Sequence, residues 1–207
     1  MTTAADINRS AALPLKCGAC NRPMESSLFC ESCRALHDPD QADHFLLLGV
    51  APSYDLDPDE LRRKYLRLSR DIHPDRFGSG ADAAAAVRAS ARANEALRVL
   101  TDPVLRAEYM LEVAGGPSAA ADKSVPQELL TWALLVREEM EEARAGRDAT
   151  ALDALRRQVQ SRRDAALLQA AAAARQLPGH EALRRDLRSG LNALRYYDRI
   201  LEQSGPA

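Results

Sequence analysis

Aromatic residues are scarce in this chain of 207 residues, where they make up 4% of the total. A low aromatic content disfavours a β-sandwich or barrel, whereas the Ala, Leu and Arg that crowd the second half favour helices. No apolar run approaches the roughly 18 to 20 residues that a membrane span requires. The composition therefore predicts an all-α fold and no membrane partner.

A strong charge of one sign is also lacking, because 28 basic and 30 acidic side chains leave a formal net charge of −2. That balance gives no global reason to expect nucleic acid or an anionic membrane as a partner. The first 16 residues lack the charged start and apolar core of a secretory signal, and they are too short and Arg-poor for a convincing mitochondrial presequence. We expect a bacterial cytoplasmic protein, with the mitochondrial matrix as the alternative.

Cysteine is absent outside one short segment, which holds two Cys-x-x-Cys knuckles separated by nine residues. Two knuckles can direct four thiolates at one ion, with Zn–S distances near ~2.3 Å and no position left for water. The pattern predicts one structural zinc ion that supplies most of the segment's folding free energy, with iron in the same shell or a redox dithiol or disulfide pair as alternatives. His37 and His44 are expected to be bystanders. The predicted ligands are Cys17, Cys20, Cys30 and Cys33.

Composition divides the remaining chain at its Pro- and Gly-rich stretches. The three helical patterns of the last segment are separated by breaks short enough to make the helices antiparallel neighbours in a bundle. The predicted segments are a disordered N-terminus (1–13), a four-Cys metal-binding domain (14–38), a helical domain (42–114), a linker (115–126) and a three-helix bundle (127–203).

A basic amphipathic helix is predicted to begin at Asp57-Pro58 and to run to about Ile72. Its apolar positions share one face, and Arg63, Arg67 and Arg70 cluster on the opposite face. The tripeptide His73-Pro74-Asp75 follows directly, and a second amphipathic pattern continues to Leu100. Pro74 disfavours helical backbone at His73, so the first helix ends there and the loop is stiff.

A His-Pro-Asp loop between two such helices resembles the J-domain, the module that docks on DnaK-type ATPase chaperones and stimulates their ATP hydrolysis. The resemblance implies a helical hairpin and a chaperone-binding surface. A solvated charged face is the alternative for the arginines, and a catalytic base or metal ligand is the alternative for the histidine. The implied chaperone-binding residues are His73, Pro74, Asp75, Arg63, Arg67 and Arg70.

Residues 94–111, NEALRVLTDPVLRAEYML, are similar to the end of the J-domain in the HscB (Jac) family of iron–sulfur cluster co-chaperones. The chain has neither a Gly/Phe-rich region nor CxxCxGxG repeats, which makes a general protein-folding J-protein less consistent with the sequence. Members of the family with an added pair of N-terminal Cys-x-x-Cys knuckles share the arrangement found here.

The predicted helix from Gln127 to Arg144 is apolar on two sides, whereas a three-helix bundle buries one side. The resemblance implies that the second side binds the scaffold protein on which clusters are assembled. Packing of this side against the J-domain is the alternative. Thr131, Leu135 and Tyr196 depart from the common family pattern. The implied scaffold-binding residues are Leu130, Thr131, Leu134, Leu135, Glu138 and Tyr196.

These features predict a non-enzymatic adaptor that presents an iron–sulfur scaffold protein to a DnaK-type chaperone. No Gly-rich phosphate-binding loop is visible, consistent with ATP hydrolysis in the partner. A J-domain co-chaperone with a different client is the first alternative. A nucleic-acid-binding zinc module is the second, although the knuckles offer it only Lys16, Arg22 and Arg34 as nearby cations. Self-association of the chain is neither predicted nor excluded by the sequence.

Overall fold

A computed structural model describes residues 15–204, and the predicted disordered segment 1–13 lies outside the described residues. The described part contains seven α-helices and one two-stranded sheet, which confirms the all-α prediction. In the antiparallel sheet, Leu15 pairs with Met24. The strands are β1 (Leu15–Lys16) and β2 (Pro23–Met24), and the helices are α1 (His44–Leu48), α2 (Pro58–Asp71), α3 (Ala81–Thr101), α4 (Pro103–Val113), α5 (Gln127–Ala145), α6 (Ala149–Ala174) and α7 (Glu181–Ser204).

Contacts divide the chain after Tyr109 into an N-terminal unit and a C-terminal unit. No helix within residues 15–204 combines the length and the apolar character that crossing a membrane demands.

The N-terminal unit is built around the hairpin of α2 and α3. The side chain of Asp57 accepts the N–H of Asp59 and caps α2, as the sequence predicts. Leu61, Leu68 and Ile72 are buried on the apolar side of α2. The facing side of α3 consists of small residues, which lets neighbouring helices approach closely. Its fully buried alanines are Ala86, Ala89, Ala93 and Ala96.

The short helix α1 is fixed to α4 through a buried histidine. The backbone N–H of His44 donates to the hydroxyl of Tyr109 (3.0 Å), and the two ring centroids lie 4.4 Å apart. Burial lowers the pKa of the His44 imidazole from its usual value, so that the ring stays neutral at pH 7. The expectation that His44 takes no part in the metal site is consistent with this position.

The C-terminal unit is an antiparallel bundle of α5, α6 and α7. Trp132 of α5 meets Tyr197 of α7 edge to face, with ring centroids 5.8 Å apart. Asn192 of α7 donates to the carbonyl oxygens of Asp122 and Ser124, and thereby attaches the end of the predicted linker to the bundle. One cluster of buried core residues consists of Leu129, Ala133, Val136, Met140, Ala143, Leu152, Val159, Ala193, Tyr197 and Ile200.

Candidate functional site

The four cysteines converge on one point. Their sulfur atoms all lie within 4.8 Å of one another, and the Sγ–Sγ distance is 3.6 Å both for Cys17 and Cys33 and for Cys20 and Cys30. A tetrahedral ion with metal–sulfur bonds near ~2.3 Å places its ligand sulfurs about 3.8 Å apart. The observed spacing therefore fits a metal ion bound by four thiolates.

Both knuckles have the same backbone turn, which places their cysteine sulfurs on one side of the chain. In the first, the N–H of Asn21 donates to the carbonyl of Cys17 (2.8 Å), and Asn21 has a φ of 59°. In the second, the N–H of Arg34 donates to the carbonyl of Cys30 (2.7 Å), and Arg34 has a φ of 63°. A left-handed residue after each Cys-x-x-Cys thus reverses the chain and leaves both sulfurs on its inner side.

The surroundings favour the thiolate form at Cys30 but not at Cys33, where the backbone hydrogen bond of Ala35 is outweighed by burial and by the neighbouring thiols, which raise the pKa of the thiol. Backbone hydrogen bonds, led by that of Cys33, lower the pKa of the Cys30 thiol to about 7, and thiolate is the form that binds metal. The Nε2 atom of His37 lies 3.5 Å from the Sγ of Cys17. The expectation that His37 is not a metal ligand agrees with the set of four converging sulfurs, which does not include it, although its ring contacts one of them.

The segment that carries both knuckles (residues 15–38), called the knuckle segment below, is attached to the neighbouring helices of the N-terminal unit. The hydroxyl of Ser26 donates to the carbonyl of Leu47 (2.7 Å), and the N–H of Ser27 donates to the carbonyl of Leu46 (3.1 Å). Leu28 and Phe29 of the same segment are buried. The segment therefore has apolar burial and hydrogen bonds to stabilise it in addition to its metal site.

The His-Pro-Asp tripeptide lies on an exposed turn between α2 and α3. His73 and Asp75 are both exposed, and the Nδ1 atom of His73 accepts the backbone N–H of Asp75 (3.3 Å). While Nδ1 accepts this bond in the neutral ring, the proton lies on Nε2, which is then a donor. The carboxylate of Asp75 lies 3.5 Å from the same Nδ1 atom. Arg76 closes the turn by donating to the carbonyl of Arg70 (2.9 Å). The turn thus presents one donor and one carboxylate on a short, stiff loop.

The three arginines on the outer side of α2 are all exposed, and two of them have acidic partners. Arg63 lies 3.8 Å from the carboxylate of Asp57, and Arg67 lies 2.9 Å from the carboxylate of Glu25 in the knuckle segment. Leu66 is 42% exposed on the same side of the helix. Leu66 was not among the predicted chaperone-binding residues, although helical periodicity places it beside Arg63 and Arg70.

The second apolar side of α5 faces solvent within the C-terminal unit. Leu130, Leu134 and Leu135 are 45%, 60% and 53% exposed. Thr131 and Glu138 are also exposed beside them. Three exposed leucines on one helix face form an apolar patch of the kind that marks interaction surfaces.

Tyr196 is half-buried and lies near one end of this patch. It packs against the bundle core, and the guanidinium carbon of Arg137 lies 5.3 Å from its ring centroid. Leu130 and Tyr196 line an open groove of about 570 Å³, whose wall also carries three cations that the sequence analysis did not single out. These cations are Lys123, Arg195 and Arg199.

Two family models match the chain. The DnaJ domain matches residues 43–109, and the HSCB C-terminal oligomerisation domain matches residues 125–204.

Curated relatives and solved structures that carry the name HscB are also similar to the chain. The co-chaperone protein HscB homolog of Bordetella pertussis is 37% identical over 128 residues, which cover 58% of this chain and 72% of that protein. The corresponding protein of Bordetella petrii is 38% identical over 109 residues, which cover 49% and 62%. The crystal structure of human co-chaperone HscB has a TM-score of 0.73 at 24% identity and covers 92% of this chain and 96% of that one. Chaperone HscB from Vibrio cholerae has a TM-score of 0.66 at 25% identity and covers 79% and 95%.

Proposed function

Because this chain belongs to the HscB family of co-chaperones, we propose that it stimulates the ATPase of a DnaK-type chaperone and delivers to it the scaffold protein on which iron–sulfur clusters are assembled. The observation that carries the proposal is the exposed His-Pro-Asp turn at the end of a basic helix. ATP is hydrolysed in the partner, so the chain itself acts as an adaptor rather than as an enzyme. The bacterial relatives support a place in the bacterial cytoplasm.

The chaperone-binding surface combines attraction at a distance with contacts at close range. The guanidinium groups of Arg63, Arg67 and Arg70 attract an acidic surface and speed the encounter. At contact, the Nε2–H of His73 and the carboxylate of Asp75 offer a donor and an acceptor whose positions are fixed by the turn. Pro74 limits the freedom of the loop, which reduces the entropy lost on binding.

The scaffold-binding surface is the exposed side of α5 together with Tyr196. Leu130, Leu134 and Leu135 supply apolar area. Thr131 and Glu138, which lie between Leu134 and Leu135 around the helix, supply polar contacts. The cations of the adjoining groove favour a scaffold segment that carries carboxylates beside an apolar side chain.

The decisive experiment on the chaperone contact replaces the imidazole of His73. In His73→Gln a flexible amide replaces the rigid ring whose Nδ1 accepts the backbone N–H of Asp75, and we expect the stimulation of a purified DnaK-type ATPase to fall to the basal rate while scaffold binding is retained. His180→Gln is the matched control in the ATPase assay, because His180 is an exposed histidine of the C-terminal unit whose ring accepts a local hydrogen bond from the N–H of Leu183. Undiminished stimulation by His73→Gln would rule out the proposed mechanism.

We further propose that the four thiolates of Cys17, Cys20, Cys30 and Cys33 hold one structural zinc ion. Zinc supplies no redox chemistry in such a shell, and its role is to hold the two knuckles together. Elemental analysis of the purified chain is expected to give one zinc per molecule and no visible absorption. In Cys20→Ser the zinc content is expected to fall well below one. A coloured protein that contains stoichiometric iron would contradict the zinc assignment.

A further inference from the structure

The knuckle segment places an acidic side chain on the proposed chaperone-binding face of α2. The Nη1 atom of Arg67 donates to both carboxylate oxygens of Glu25, at 2.9 and 3.3 Å. Glu25 and Arg67 are 42 positions apart in the chain, so the pair exists only because the knuckle segment packs against this part of the N-terminal unit.

The backbone around Glu25 is held independently of the ion pair. The two serines that follow it are hydrogen-bonded to the carbonyl oxygens of Leu46 and Leu47. Its own carbonyl oxygen lies against Gly49, so closely that no Cβ would fit between the two residues. The carboxylate of Glu25 is therefore kept within reach of Arg67 whether or not the two side chains are paired.

We propose that Glu25 is an internal competitor for the chaperone, which must displace it before Arg67 can reach an acidic group of the partner. This inference rests on the function proposed above. Arg67 and Glu25 are 68% and 60% exposed, so their pair is weak and is screened by salt. Glu25 therefore moderates the affinity of the co-chaperone for its chaperone without closing the site.

Two consequences of this arrangement act in the same direction. Binding of the chaperone breaks the contact between Arg67 and Glu25, and it brings a negative carboxylate close to an acidic surface. Each consequence opposes binding. Exposed ion pairs of this kind contribute little, which corresponds to a change of about two- to five-fold in the dissociation constant.

The test is Glu25→Gln in the full-length, metal-loaded chain, which keeps the size of the side chain and removes its charge. The probe is the purified DnaK-type chaperone that responds to the wild-type chain in the ATPase assay. We expect the dissociation constant to fall about two- to five-fold at about 50 mM salt and the difference to vanish near about 0.5 M salt. Glu202→Gln is the control for net charge, since Glu202 is exposed at the end of α7.

A double-mutant cycle with Arg67→Gln isolates the pair. In the Arg67→Gln background, removal of the Glu25 charge is expected to have a smaller effect than in the wild-type background. Metal content and melting temperature, measured on each variant, verify that the knuckle segment remains folded. This inference is overturned if Glu25→Gln is folded but binds the chaperone with unchanged or weaker affinity. The proposed function stays intact in that case, provided that His73→Gln has lost stimulation. If His73→Gln stimulates normally, the proposed function itself is wrong.

Discussion

At the scale of single residues, Gly49 shows how one position joins the metal-binding segment to the helices. It ends α1 with a φ of 64°, a left-handed conformation that favours glycine. The carbonyl oxygen of Glu25 occupies the place where the Cβ of any other residue would lie. Gly78 has a similar φ of 68°, but a Cβ there would meet nothing within 4 Å. A side chain at either position would strain the backbone, but only at Gly49 would it also clash with another residue. Comparing substitutions at the two glycines therefore separates the free-energy cost of strain from that of a clash.

Gly49→Ala is therefore expected to destabilise the chain more than Gly78→Ala. Strain alone accounts for about 1 to 2 kcal/mol at either position. The clash with Glu25 adds to this only at Gly49, because the knuckle segment must move away. The free energy of unfolding, measured in denaturant, checks the difference between the two variants. Equal losses would mean that the packing of the knuckle segment on α1 contributes nothing to stability.

At the scale of secondary structure elements, α5 has two apolar sides that differ in exposure. One side carries Leu129, which is buried in the bundle core. The other carries Leu130 and Leu134, which are about half exposed. Since exposed leucines gain little from folding, their removal is expected to affect a partner more than the chain itself.

The double variant Leu130→Ala, Leu134→Ala is expected to lower scaffold affinity at least about ten-fold, because both lose their apolar contact area. Its melting temperature is expected to stay within a few degrees of the wild-type value. Leu129→Ala serves as the matched control on the same helix and is expected to cost about 2 to 5 kcal/mol of stability. A large loss of stability in the double variant would show that the second side of α5 is covered within the chain.

At the scale of the whole molecule, the proposed function depends on two binding surfaces on one chain. The proposed chaperone surface belongs to the N-terminal unit and the proposed scaffold surface to the C-terminal unit. A covalent link raises the local concentration of the scaffold at the chaperone to about the millimolar range. Two separate molecules that each carry one intact surface lack this advantage.

A complementation experiment tests the value of the link. His73→Gln retains the scaffold surface, and the double leucine variant retains the chaperone surface. The two variants are mixed at about micromolar concentrations, well below the effective concentration that a linker provides. The mixture is expected to show no scaffold-dependent stimulation beyond that of the leucine variant alone. The ATPase rate with and without scaffold protein is the measurement. Restoration of the wild-type rate by the mixture would contradict the adaptor mechanism.

The sequence by itself determined the features whose signals are local. Each of these features lies within a few helical turns of chain, so its residue types and spacing are sufficient to predict it. They are the Cys-x-x-Cys spacing, the Asp57-Pro58 start of α2, the His73-Pro74-Asp75 turn and the two-sided pattern of α5. The all-α architecture followed from the same local preferences, and the roles assigned to individual site residues stay predictions.

Only the tertiary structure decided which distant side chains meet. Glu25 reaches Arg67, the carbonyl of Glu25 fills the space at Gly49, and His37 contacts Cys17. These contacts follow from the packing of the knuckle segment on the helices and from the turns within it. Such contacts depend on the relative positions of segments tens of residues apart, which neither helical periodicity nor motif spacing encodes.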